Sequence, residues 1–135
     1  MTHSILALIC FAVWTILMAF VMVNHRVFYV LSGQRKINTF PPDGAGVSAF
    51  QMRAARVHAN CYENLPIFAS LVLGATVAGK GAVTDPLAMY AFYARMGQST
   101  VHLVSTSELA VMIRATFWTA QMLIMAFWGW RLLIG

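Results

Sequence analysis

Residues 53–64 read RAARVHANCYEN and put two guanidiniums, an imidazole, two carboxamides and one carboxylate into an otherwise apolar chain. Groups of this kind are costly in an apolar setting unless they are paired, solvated or held by a ligand. Successive helical residues turn by about 100°. On one helix, therefore, Arg53, Arg56, Asn60, Glu63 and Asn64 form a single stripe, while His58 points to the far side. The same arithmetic puts Arg95, Gln98, Ser99, His102, Ser105 and Thr106 on one face of a second segment, and Arg114, Trp118 and Gln121 on one face of a third. Three stripes then carry several arginines against one glutamate, and an excess of sheltered guanidinium calls for an anion. The bland alternative is internal pairing, with Glu63 taking one arginine and the Asn and Gln side chains bridging helices. One carboxylate cannot neutralise Arg56, Arg95 and Arg114 together. His58 reads as packing or headgroup contact. No metal-ligand spacing, glycine-rich phosphate loop or nucleophile–His–acid arrangement appears.

Composition says what surrounds these stripes. The 135 residues are 60% hydrophobic and only 10% charged, with a mean hydropathy of +0.72. A soluble domain carries roughly a quarter charged residues, so an integral membrane protein of one domain, residues 1–135, is expected. The net charge of +5 comes from dispersed Lys and Arg; without a cationic stripe on the surface, nucleic acid is not an expected partner. Cys10 and Cys61 are too few for a disulfide scaffold and read as small helix residues. The first twenty residues lack a cationic n-region, and their apolar run is too long for a signal peptide. Trp14, Trp118, Trp128 and Trp130 read as interfacial belt or lipid-facing bulk.

Four helices position the stripes, over about 5–31, 48–78, 86–105 and 113–134: an all-α, integral membrane four-helix bundle. Ile5 to Val23 alone matches the roughly 20 residues needed to span a bilayer. SGQRKINTFPPDGAGVS is the long loop and GKGAVTDP a tight connection. Pro66 should kink the second helix. Thr84 or Asp85 should cap the third, with Pro86 in its first turn, and STSE breaks the chain before the fourth. Arg26, Arg35, Lys36, Arg53, Arg56 and Arg114 lie at the ends facing the long loop, with Lys80 and Arg131 at the opposite ends. The positive-inside rule then puts the long loop in the cytoplasm and both termini on the other side.

The run Arg56 to Asn64 closely resembles the Arg-x-His-x-Asn-x-x-Glu-Asn signature of the MAPEG family, the membrane-associated proteins in eicosanoid and glutathione metabolism. GQRKINTFPPDG is similar to the basic loop after that family's first helix. Arg95 and Arg114 stand where its third and fourth helices carry arginines, so the resemblance spans nearly the whole chain. It implies a homotrimer of four-helix subunits binding glutathione as co-substrate at subunit interfaces on the cytoplasmic side. By the same resemblance Arg35, Arg56, Asn60, Glu63 and Arg95 bind glutathione and Arg114 is catalytic; His102, although it departs from the family's pattern, can still donate a hydrogen bond to glutathione. The chemistry agrees: two carboxylates want arginine, one ammonium wants a carboxylate, and the thiol needs a nearby cation or donor to become the nucleophilic thiolate.

The implied activity is that of a membrane-bound glutathione-dependent transferase or peroxidase, acting on lipophilic electrophiles or lipid hydroperoxides that enter from the membrane lipid. The alternative is a non-catalytic, lipid-binding accessory member. Gln98 and His102 stand where many members have His and Tyr, which bears on activity more than on binding. A proton-coupled exporter using Glu63 is disfavoured, because the arginines on its stripe should hold that carboxylate ionised. Arg114, expected at the start of the fourth helix, should gain from the helix dipole in favouring a thiolate. Its bland reading is a topology anchor or a partner of Glu108.

Overall fold

A computed structural model describes all residues, 1–135, as four helices and no strand: α1 (His3–Leu31), α2 (Ala49–Val77), α3 (Asp85–Val104) and α4 (Glu108–Ile134), with one 3-10 turn at Gly81–Val83. The ends follow from local chemistry. Thr2 Oγ1 accepts from Ile5 N–H at 3.3 Å and Ser48 Oγ from Gln51 N–H at 3.0 Å, each satisfying an otherwise orphaned donor in a first turn. Gly33 and Gly79 follow α1 and α2 with φ of 74° and 69°, the left-handed setting that glycine takes without strain. α2 runs unbroken through Pro66.

α4 begins more than a turn earlier than expected. Ser107 Oγ accepts from Ala110 N–H at 3.2 Å and starts the helix at Glu108. Thr84 and Asp85 also behave differently from the expectation that they cap α3. Thr84 makes no capping bond there; its hydroxyl meets Ser4 Oγ at 2.8 Å. Asp85 Oδ1 accepts from the Ser4 backbone N–H at 2.8 Å, so its carboxylate serves the first turn of α1, where negative charge is favoured.

The core is built from all four helices around Phe11, Val57, Phe68, Ala91, Met125 and Trp128. Phe68 meets Phe11 edge-on at 5.4 Å and Trp128 at 5.6 Å, geometry that aromatic rings prefer. Trp128 is fully buried and thus belongs to the core, which corrects its reading as lipid-facing. Only 28 of 135 residues are buried, and Val13, Ile16, Phe20 and Leu123 face outward, as suits helices whose solvent is lipid. By length and composition, α1 and α4 can each cross a membrane; α2 and α3 carry the polar stripes that lower their hydropathy.

Gly97 lets α3 and α4 approach closely: a Cβ there would stand 2.8 Å from the Phe117 ring. In the long loop Gly44, at φ +75°, lies under the start of α2, where a Cβ would meet Gln51 O at 2.7 Å.

Candidate functional site

An open groove of about 470 Å³ lies among α2, α3 and α4, at the end of the bundle that carries the long loop. α2 supplies Arg56, Ala59, Asn60 and Glu63; α3 supplies Gln98 and His102; α4 supplies Arg114 and Trp118. The i, i+4, i+7 spacing of Arg56, Asn60 and Glu63 stacks them along one face, and the small Ala59 and Ala115 leave the space between the helices. A second opening of about 350 Å³ continues from it toward the α3–α4 connection, past Arg53 and Thr106.

The cations and the carboxylate on this wall are held differently. Arg114 Nη1 lies 2.6 Å from His102 Nε2. A guanidinium can only donate, so Nε2 accepts and the imidazole proton sits on Nδ1. Of the two ring nitrogens of His102, Nε2 is taken by Arg114 and Nδ1–H is the one donor it retains. Gln121 Nε2 donates to Gln98 Oε1 at 2.9 Å, which ties α4 to α3 beside the groove, and Arg53 Nε donates to Leu103 O at 2.8 Å. Glu63 has no ion-pair partner, for the one acid–base contact in the chain is His3 with Asp85 at 3.5 Å. The expected alternative pairings of Glu63 with an arginine and of Arg114 with Glu108 are therefore absent.

Of the residues singled out from sequence, Arg56, Asn60, Glu63, His102 and Arg114 come together on this groove. Arg95 and Arg35 do not reach it within one subunit. Arg95 is fully buried over the Phe11 ring, with its carbon Cζ 5.4 Å from the centroid and no hydrogen-bond partner on any guanidinium nitrogen. Arg35 knits the long loop, donating to Gly46 O at 2.7 Å and Thr39 O at 2.8 Å. Asn64 also turns away, bonding Asn60 O at 2.9 Å. Trp118 lines the groove although it read as belt; the signal for it was its place one turn after Arg114 on the same face. Arg114 stands in the second turn of α4, not at its start, and the helix-end effect falls off within the first turn. Whatever favours an anion there comes from the arginines themselves.

No curated protein and no solved structure matches the chain. The sequence profile of the MAPEG family does, over residues 4–134, a stretch that includes all four helices and every residue of the groove. The chain belongs to the MAPEG family.

Proposed function

We propose that the chain is a membrane-bound glutathione-dependent transferase or peroxidase acting on lipophilic electrophiles or lipid hydroperoxides. The observation that carries this reading is the charge pattern of the groove. Glu63, with no ion-pair partner in the chain, shares it with Arg56 and Arg114. The carboxylate suits glutathione's ammonium and the two guanidiniums suit its anionic groups, a carboxylate at Arg56 and the thiolate at Arg114, and charge-assisted bonds of this kind are the strong ones. Asn60 adds a carboxamide for the peptide backbone. Arg114, braced by His102, stands where a thiolate gains from a neighbouring cation. The thiolate sulfur bonds the electrophilic carbon as a leaving group departs with its electron pair. On a hydroperoxide it attacks the outer oxygen, the O–O bond breaks to leave a glutathione sulfenic acid and an alkoxide that takes up a proton, and a second glutathione thiol then forms the disulfide with loss of water.

Arg35 belongs to this reading through assembly: the loop that carries it would reach the groove of a neighbouring subunit in a homotrimer. Arg95, sealed inside the bundle, would act from behind the wall. The groove would face the cytoplasm with the long loop, both termini lying opposite, as the basic residues favour.

Titration of purified protein with glutathione, followed by thiolate absorbance, tests the reading. Saturable thiolate formation in the wild type, lost or weakened in Glu63→Gln, is expected; no thiolate signal at any glutathione concentration would overturn it. The second reading, a non-catalytic lipid-binding member, is favoured by one observation. Gln98 and His102 are each engaged by α4. Binding of glutathione without turnover of any hydroperoxide or aryl halide would select it.

A further inference from the structure

Two glutamines meet beside the groove, where α3 and α4 pack closely. Gly97 allows that approach, because a Cβ there would stand 2.8 Å from the Phe117 ring. The next residue, Gln98, then faces Gln121, which lies about one helical turn after Phe117. Both side chains are nearly sealed, Gln98 being 6% exposed and Gln121 3%, and both belong to one subunit. Their contact therefore does not depend on what covers the outer faces of the bundle.

A carboxamide has nearly the same shape at both ends but opposite chemistry, since its oxygen accepts and its nitrogen donates. Which end Gln98 turns to the groove follows from its neighbours. The Phe117 carbonyl can only accept, and the Gln121 amide meets it at 3.2 Å, so that end of Gln121 is Nε2. The same Nε2 donates its other hydrogen to Gln98 Oε1 at 2.9 Å. With Oε1 committed to Gln121, Gln98 is left with Nε2, a pure donor without a partner in the chain, for the groove that it lines.

We propose that Gln121 is a positioning residue that holds Gln98 as a hydrogen-bond donor to a carboxylate oxygen of glutathione. This rests on the glutathione reading and adds to it what the cations leave open. In that reading Glu63 answers the ammonium, Arg56 one carboxylate and Arg114 the thiolate, so the second carboxylate meets no further cation of the same subunit in the groove. A carboxamide turned donor-first suits it, and a bond to an ionised acceptor is the stronger kind. A Gln98 free to turn would present its oxygen part of the time and repel the carboxylate, so apparent affinity would fall with the fraction of time lost. Gln121, which is not itself on the groove wall, removes that loss by fixing the donor beforehand.

The test is calorimetric titration of the full chain in mild detergent with glutathione, comparing the wild type with Gln98→Met, Gln121→Met, the two together, and Gln98→Glu. Gln98→Met should lose about tenfold in affinity. Gln121→Met should lose about threefold, because the freed amide faces the groove donor-first only part of the time. Since Gln121 acts only through Gln98, adding Gln121→Met to Gln98→Met should cost nothing more, whereas a merely structural Gln121 would give independent losses that multiply. Gln98→Glu keeps the shape and the bond from Gln121 but turns an acceptor oxygen to the groove, so it should bind glutathione more weakly than Gln98→Met does. That variant carries the test alone if a methionine variant does not fold. The pKa of the bound thiol, read from thiolate absorbance against pH, should be unchanged in Gln121→Met, because the sulfur lies with Arg114. Losses that multiply in the double variant, binding by Gln98→Glu as tight as by Gln98→Met, or a shifted thiol pKa in Gln121→Met would each overturn the proposal while leaving the glutathione reading in place. No glutathione binding by the wild type would remove that reading and this proposal with it.

Discussion

Glu63 and Arg114 face the same groove from different helices, and they should fail in different ways when changed. Glu63→Gln replaces a charge-assisted contact to an ammonium by a neutral one, so glutathione affinity should fall by about tenfold while the protein stays folded and inserted. Calorimetric titration checks it, and an unchanged affinity would remove Glu63 from the site. Arg114→Ala should instead lower turnover and raise the apparent pKa of the bound thiol, read from thiolate absorbance against pH. An unaltered thiol pKa with reduced expression would mark Arg114 as an anchor. In the proposed function His102 would act through Arg114, because its Nε2 accepts from that guanidinium. His102→Ala should therefore reduce turnover more than it weakens glutathione binding. A loss confined to binding would return His102 to the role of direct ligand.

Among the elements, the close approach of α3 and α4 at Gly97 is the contact most sensitive to added volume. Gly97→Ala drives a methyl group into the Phe117 ring, and the overpacking should cost about 1–3 kcal/mol of stability, measurable as a fall in thermal midpoint in detergent. Strong local signals mark the ends of α1 and α2, Thr2 and Ser48 at their starts and Gly33 and Gly79 just past their ends. The start of α4 was not legible from hydropathy, which weighs whole spans and is silent about Ser107 capping a turn that opens on Glu108. The groove was readable from rotation alone, since Arg56, Asn60 and Glu63 share an angle. Rotation says nothing of depth or of what lies opposite, however. Arg95 shares an angle with His102 but sits about two turns deeper, under Phe11. Trp128 was misread for a related reason: a helix apolar on all sides gives no sequence cue to which of its faces is inward.

For the molecule as a whole, the three polar stripes end on an open groove to which neither Arg35 nor Arg95 contributes within one subunit. A trimer in which each loop reaches a neighbour's groove is the expected assembly, and native mass measurement should find three chains; an active monomer would rule out a shared site. Cysteines placed at Thr39 or Asp43 should resist labelling from the side that reaches positions near Lys80 and Gly135, and the opposite pattern would invert the orientation.

The two ends of this bundle are tied through different helices. Far from the groove, Ser4 is bonded to both Thr84 and Asp85, and Lys80 Nζ donates to Leu132 O at 3.3 Å. At the groove, α3 is bonded to α4 and to α2, but no side-chain bond joins α2 to α4. At the groove the tips of α2 and α4 are thus each bonded to α3 but not to one another. A helix of 27 residues is about 40 Å long, so parting the tips by about 3 Å needs only about 4° of tilt. In the proposed function, a tilt of that size would admit a bulky lipophilic substrate sideways from the bilayer. Amide exchange should therefore quicken toward the tips of α2 and α4 and stay slow around Ser4 and Asp85.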